Sequence, residues 1–150
     1  MKVVIIGAGL AASALVSNLR SKSKVLEISV VTACSGDQYY KPLLSEAMAC
    51  NLPENKLITL DAQAFSKRHN INLYPNETVE TIDAVEKIVV TSKRRMNFDK
   101  LVIAIGATPR EINANPDTAP YIFNANSLGS YQKFRQCLAS QSRVTVVGGG

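Results

Sequence analysis

Residues 3 to 12 constrain the fold more than any other stretch of the chain. Val3 to Ile6 is a β-branched run that stops on Gly7-Ala8-Gly9, after which Leu10, Ala14, Leu15 and Leu19 fall about one helical face apart. That change of period reads as a buried strand feeding a helix through a glycine turn. Val25 to Thr32 follows as a second strand with no turn residue inside it. Strand, helix and strand in so short a span make a βαβ unit, with parallel strands and a right-handed crossover.

Gly7-Ala8-Gly9-Leu10-Ala11-Ala12 has the GxGxxG/A spacing of a dinucleotide fingerprint. Gly7 allows the tight turn, Gly9 lets backbone amides approach a pyrophosphate, and Ala12 keeps helix and strand close. The helix amino terminus then faces the phosphates, where its unpaired N–H groups and partial positive charge contribute about 0.3–1 kcal/mol. The acidic residue that usually holds the adenosine ribose is missing from the end of the second strand. Thr32 and Ala33 stand there, with Glu27 too early and Asp37 too late unless the loop folds back.

Further along, Cys34 to Pro53 reads as a long connection with a short helix around Ser45 to Ala49. Asp61 caps a helix running to about Arg68, in which Ala62, Phe65 and the stem of His69 recur at helical spacing. Ile71 to Tyr74 is a strand closed by Pro75-Asn76. Val79 to Ile82, Lys87 to Thr91 and Met96 to Phe98 form a small antiparallel meander. Leu101 to Ile105 is another apolar strand, stopping at Gly106. Ser127 caps a helix with Leu128, Tyr131, Phe134 and Leu138 on one face, and Arg143 to Val147 reads as a final buried strand. Gly148 and Gly150 beyond it have the spacing of a second GxG.

Composition excludes several classes. A chain of 150 residues, 46% hydrophobic and 19% charged, supports one core, so the bound is one domain or one domain plus a fragment. Cys34, Cys50 and Cys137 include no CxxC, and His69 is the only histidine, so neither a zinc site nor a redox dithiol is spelled by close neighbours. The cysteines read as small hydrophobes in a reducing cytosol. Lys2 followed by Val3 to Val16 resembles a short secretory signal, too short for the roughly 20 apolar residues that span a bilayer. Because the glycine spacing explains the small residues Ala11, Ala12 and Ala14 better than a cleavage site does, a cytoplasmic protein without a membrane partner is expected. The net charge of +5 sits in local groups, chiefly Arg20/Lys22/Lys24, Lys67/Arg68 and Lys93/Arg94/Arg95. These read as solvated turns and helix ends, and they also raise the on-rate of an acidic partner. No aromatic platform or reading motif accompanies them, so no nucleic-acid partner is expected.

Tyr39-Tyr40-Lys41-Pro42-Leu43-Leu44-Ser45, followed by Leu101-Val102-Ile103-Ala104-Ile105-Gly106-Ala107-Thr108-Pro109, carries the pattern further. With the fingerprint, and with Asn72-Leu73-Tyr74-Pro75, Val79 to Asp83 and Tyr131 onward, the chain resembles the FAD-dependent, NADH-using reductases of rubredoxin and flavorubredoxin over essentially its whole length. The resemblance implies an α/β fold: a Rossmann-like FAD-binding domain with a parallel sheet and a small antiparallel meander, ending at the first strand of an NADH domain. Residues 1–110 would be the first FAD segment, 111–142 a connecting loop and helix, and 143–150 the first strand and glycine turn of the NADH domain.

It also implies site residues. Ala8, Gly9, Leu10 and Ala11 would line the FAD pyrophosphate, and Thr32 with Ala33 would lie beside the adenosine end. Val79 would offer backbone contacts to the adenine. Ala104, Ile105 and Gly106 would form the second flavin-contact stretch, which here reads AIG and lacks the threonine of the family's ATG. Lys41 would lie by the isoalloxazine, where a fixed ammonium stabilises the negative charge that the ring gains on reduction. The implied activity passes a hydride from NADH to FAD, and single electrons onward to rubredoxin or a flavorubredoxin rubredoxin domain. The alternatives are a related reductase serving ferredoxin or monodehydroascorbate, and a non-catalytic FAD-binding fragment.

Overall fold

The computed structural model describes residues 1–110, 112–113, 115–138 and 143–147. Gly148 and Gly150, expected to open a second fingerprint, lie outside them. In chain order the regular elements are β1 (Lys2–Ile6), α1 (Leu10–Lys22), β2 (Glu27–Val31), β3 (Gln38–Tyr39), α2 (Leu43–Glu46), β4 (Ile58–Leu60), α3 (Ala62–His69), β5 (Asn72–Tyr74), β6 (Val79–Asp83), β7 (Ile88–Thr91), β8 (Arg95–Asn97), β9 (Lys100–Ile103) and α4 (Leu128–Cys137). They fall into two compact units. One comprises residues 1–40 and 55–108, the other residues 41–54 and 109–150.

The first unit is an α/β fold around a four-stranded sheet of order β5-β2-β1-β9. All three pairings are parallel, with Ile5 opposite Val30 on one side and Val102 on the other. Because side chains alternate across a strand, Val3, Ile5, Ile28, Val30 and Val102 share one face. That face forms the core with Ala8, Ala12 and Val16 from the turn and α1, and with Phe65 and Ile71 from α3 and its exit. Each such buried Val, Ile or Phe side chain contributes about 1.5–3 kcal/mol, so the β-branched runs act as strand formers and as core at once. A three-stranded antiparallel meander, β6-β7-β8, and a short antiparallel pair, β3-β4, complete the unit. Asp83 turns the first meander hairpin by accepting hydrogen bonds from the N–H groups of Val85 and Glu86, both at 2.9 Å.

Several expectations are corrected. The buried stripe of α1 runs through Ala12 and Val16, with Leu15 and Leu19 packed beside it. Leu10, expected on that face, is 80% exposed, and Ala14 is exposed as well. Two residues turn a helix by about 200°, so a face centred on Ala12 excludes both. The second strand is shorter than Val25 to Thr32, since Val25 stays in the exposed turn before it. The short helix starts at Leu43 rather than Ser45. The strand expected to reach Ile105 stops at Ile103. It is an edge strand paired only to β1, and Ile103 and Ile105 are 60% and 70% exposed. The expected buried strand over 143–147 is absent: the segment has no regular structure and its three valines are exposed. No described strand pairs with it, and a strand without a ladder partner has neither backbone bonds nor a face to bury. The three cysteines are exposed free thiols rather than core residues.

In the second unit, Ser127 caps α4 as expected, through a capping box in which Ser130 answers it. Arg135 donates to the Leu52 carbonyl at 2.7 Å and Gln132 to Glu54 at 3.3 Å, which ties α4 to residues 52–54. Among the described residues of this unit, Leu44, Ala47, Leu128 and Tyr131 are buried.

Candidate functional site

The fingerprint turn is built by two glycines with different reasons to be glycine. Gly7 has φ +108°, and a Cβ there would lie 2.3 Å from the Ala104 carbonyl oxygen. The position therefore excludes a side chain on conformation and on space together. Gly7 N–H donates to the Val31 carbonyl at 2.7 Å, and Ala104 N–H to the Ile6 carbonyl at 2.8 Å. The turn is thereby clamped between the ends of β2 and β9, and two stretches assigned to the site from sequence, 7–12 and 104–106, come together. Gly9 differs. Its φ of −76° suits any residue, and a Cβ there would meet nothing within 4 Å. Nothing in the fold of the chain asks for glycine at this point, which leaves room for a group from outside.

Gly9 is the N-cap of α1, and the cap has no side-chain hydrogen bond and no acidic residue in the first turn. The first N–H groups of the helix and its positive end are thus open to an anion and unopposed by a carboxylate. Leu10 and Ala11 are exposed beside it, while Ala8 and Ala12 are buried in the core. Gln38, which the sequence reading missed, donates to the carbonyls of Ala8 at 3.3 Å and Gly36 at 3.0 Å. It pins the loop after β2 to the fingerprint. A polar residue in a long connection carries no periodic signal, so the contact shows only in three dimensions. An open backbone at Gly9 beside an uncapped helix end fits the pyrophosphate of a dinucleotide.

At the end of β2, Thr32 is buried. Its hydroxyl is 3.0 Å from the Cys34 thiol, its N–H donates to the Tyr74 carbonyl, and its carbonyl accepts from Glu77 N–H. Ala33 beside it is exposed. Asp37 folds back, but onto α3: it accepts from Ala62 N–H at 2.9 Å, next to the Asp61 cap that accepts from Ala64 N–H at 2.7 Å. Glu27 opens β2 at the opposite end of the strand. Val79 begins β6, opposite Thr91, beside a register shift. Gly106 has φ +74° with open space around it, and Ile105 is exposed. Lys41 belongs to the second unit, exposed in the turn before α2, and its carbonyl accepts from Leu44 N–H at 3.1 Å.

Glu77 was also missed. Burial pushes its carboxyl up, but hydrogen bonds from Thr91 and Arg94, with the Arg94 and Lys93 charges, more than offset this and hold it below its ordinary value. His69 is held below its ordinary value by burial and by the charges of Arg68 and Arg20.

A family model described as pyridine nucleotide-disulphide oxidoreductase matches residues 1–150. The chain belongs to that family. Reductases of the pyridine nucleotide-disulphide oxidoreductase family bind FAD and use NAD(H). A relative from Klebsiella pneumoniae (strain 342) named nitric oxide reductase FlRd-NAD(+) reductase is 33% identical over 155 residues, covering 99% of this chain and 39% of its own length. The chain thus spans well under half of that relative. Among solved structures of similar fold, an NAD-dependent persulfide reductase from A. fulgidus superposes with a TM-score of 0.81 and 28% identity over 91% of this chain and 26% of that one. An NADH:rubredoxin oxidoreductase from Clostridium acetobutylicum does so with a TM-score of 0.73 and 24% identity, over 91% and 35%. Among the described residues no helix is long and apolar enough to cross a membrane.

Proposed function

We propose that this chain is the FAD-binding portion of an NADH-dependent flavoprotein reductase acting in the cytoplasm, delivering electrons to rubredoxin or to the rubredoxin domain of a flavorubredoxin. The observation that carries it is the pairing at the fingerprint: Gly7 is demanded by the fold, whereas Gly9 is demanded by nothing in the chain and opens onto an uncapped helix end. Gly7, Ala8, Gly9, Leu10, Ala11 and Ala12 form the pyrophosphate cradle. Thr32, Ala33 and Val79 stand at the adenosine end, and Ala104, Ile105 and Gly106 at the flavin stretch. With the Thr32 hydroxyl turned to Cys34, backbone groups rather than a carboxylate hold the ribose side. Bound FAD supplies the carrier that accepts a hydride and releases single electrons. Lys41 supplies a positive charge for the ring, a role that rests on the Tyr-Lys-Pro resemblance. Residues 1–110 are the first FAD segment, 111–142 the connection, and 143–150 the opening of an NADH domain.

The acceptor is supported by the name of the Klebsiella relative and by the basic groups on the chain, which suit an acidic partner. The test is the visible spectrum of the purified protein with added FAD. Bound flavin with resolved absorbance bands and quenched fluorescence is expected. A colourless protein that takes up no FAD defeats the proposal and favours a non-catalytic fragment, while reduction of ferredoxin but not rubredoxin by a complete reductase carrying this segment and supplied with NADH corrects the acceptor alone.

A further inference from the structure

The buried polar residues among those described are Thr32, Glu77 and Thr91, and all three meet at one place. Glu77 follows the Pro75-Asn76 turn, where Asn76 adopts φ +52°. Asn76 N–H donates to the Cys34 carbonyl and Glu77 N–H to the Thr32 carbonyl, each at 2.9 Å, so the turn after β5 is fastened to the end of β2. The Glu77 carboxylate, 2% exposed, accepts from the Thr91 hydroxyl at the end of β7 and from Arg94 Nε at 2.8 and 3.2 Å. The Arg94 guanidinium in turn lies 4.1 Å from the ring centre of Tyr74, the last residue of β5. Thr91 also accepts from the N–H groups of Lys93 and Arg94, which fixes the turn between β7 and β8.

Burying a carboxylate offsets much of what its pairing returns, so stability alone is a weak reason for a buried Glu77. What a charged network adds is a fixed position for every element it touches. Those elements carry the residues assigned above to the adenosine: Thr32 is one hydrogen bond from Glu77, Ala33 follows it, and Val79 lies two residues on and pairs with Thr91.

We propose that Glu77, gripped by Thr91 and Arg94, is a positioning residue for the adenosine end of the cofactor. Its N–H holds the Thr32 carbonyl at the end of β2 while its carboxylate holds Thr91, the partner of Val79 in β6, so that Ala33, next to Thr32, and Val79 form one preset edge in place of the acidic side chain missing at the end of β2. The assignment rests on the flavoprotein reading and is tested apart from it with three ligands, FAD, ADP and inorganic pyrophosphate, titrated calorimetrically into the full chain. Stoichiometry reports the folded fraction separately from Kd. For Glu77→Ala the Kd of ADP and of FAD rises about tenfold, the loss typical of a hydrogen-bonded charge, while that of pyrophosphate, which needs only the fingerprint, stays within twofold. Glu77→Gln keeps the shape and the Thr91 bond and loses about threefold for ADP; it carries the test if Glu77→Ala does not fold. An unchanged ADP Kd in a folded variant, or an equal rise for pyrophosphate and ADP, overturns the positioning role alone. A wild-type protein that binds neither FAD nor ADP overturns the flavoprotein reading and this assignment with it.

Discussion

Gly7 and Gly9 sit two residues apart and answer to different constraints, so substitutions separate them. Gly7→Ala places a methyl group where the Ala104 carbonyl already is and forces a left-handed backbone on an L-residue; we expect a loss of about 3 kcal/mol or more, read by chemical denaturation. Gly9→Val meets no atom of the fold, so it should cost no more than about 1 kcal/mol, for a poorer N-cap residue. Its side chain occupies the approach to the α1 amides, and FAD content after purification should fall to background. Undiminished FAD in Gly9→Val, or severe unfolding of it, would each contradict the division of labour. Lys41 is tested at the same scale. In a complete reductase that carries its NADH domain, Lys41→Ala should slow flavin reduction at saturating NADH by about tenfold or more, as loss of one electrostatic stabiliser does, with little change in FAD affinity. An unchanged stopped-flow rate would remove Lys41 from the chemistry.

At the scale of elements, α3 is held at its start by two carboxylates from different directions, Asp61 from its own N-cap and Asp37 from the loop after β2. Asp61→Ala should cost about 1 kcal/mol. Asp37→Ala should cost a similar amount and also loosen the loop that Gln38 ties to the fingerprint, measurable as faster amide exchange at Ala62 and at Gln38. Equal exchange in both variants would mean that the two caps are redundant. Asp61 was legible in the sequence because a cap sits at a fixed offset from the helical period it opens. Asp37 was not, because a cap delivered from a loop has no such offset. The same distinction covers the rest. Val3 to Ile6, the glycine turn, the three short runs of the meander and Ser127 are local signals, and they stand within a residue of where the sequence puts them. The face of α1, the edge position of β9 and the fate of Val144 to Val147 depend on which partners lie alongside, and Leu10, Ile103 and the valines were misplaced for that reason. Of the site, the close packing of Gly7 on Ala104 follows from two motifs that were visible. Gln38, Glu77 and Arg94 make their contacts across sheet and turn boundaries, where spacing is silent.

For the molecule as a whole, Glu77 joins the meander to the sheet and so couples acidity to stability. Its carboxyl is held below the ordinary value of 4.5 in the folded chain, so the unfolded chain binds that proton more readily. The stability it contributes is fully present above the ordinary value and is lost as the pH falls through the lower folded one. Glu77→Gln should therefore be less stable than wild type at neutral pH and should lose less on acidification, with the two denaturation curves converging at low pH. Parallel curves would show that the charge of Glu77 does not matter to the fold. The contrast between the two fingerprint glycines reaches further, into how such a chain changes over generations. Gly7 is held by folding, so replacing it costs stability whether or not anything binds. Gly9 is held only by whatever binds there. In a lineage that gave up the cofactor and kept the fold, Gly9 would drift to larger residues first while Gly7 persisted, so the pair acts as a record of whether the site is still under selection.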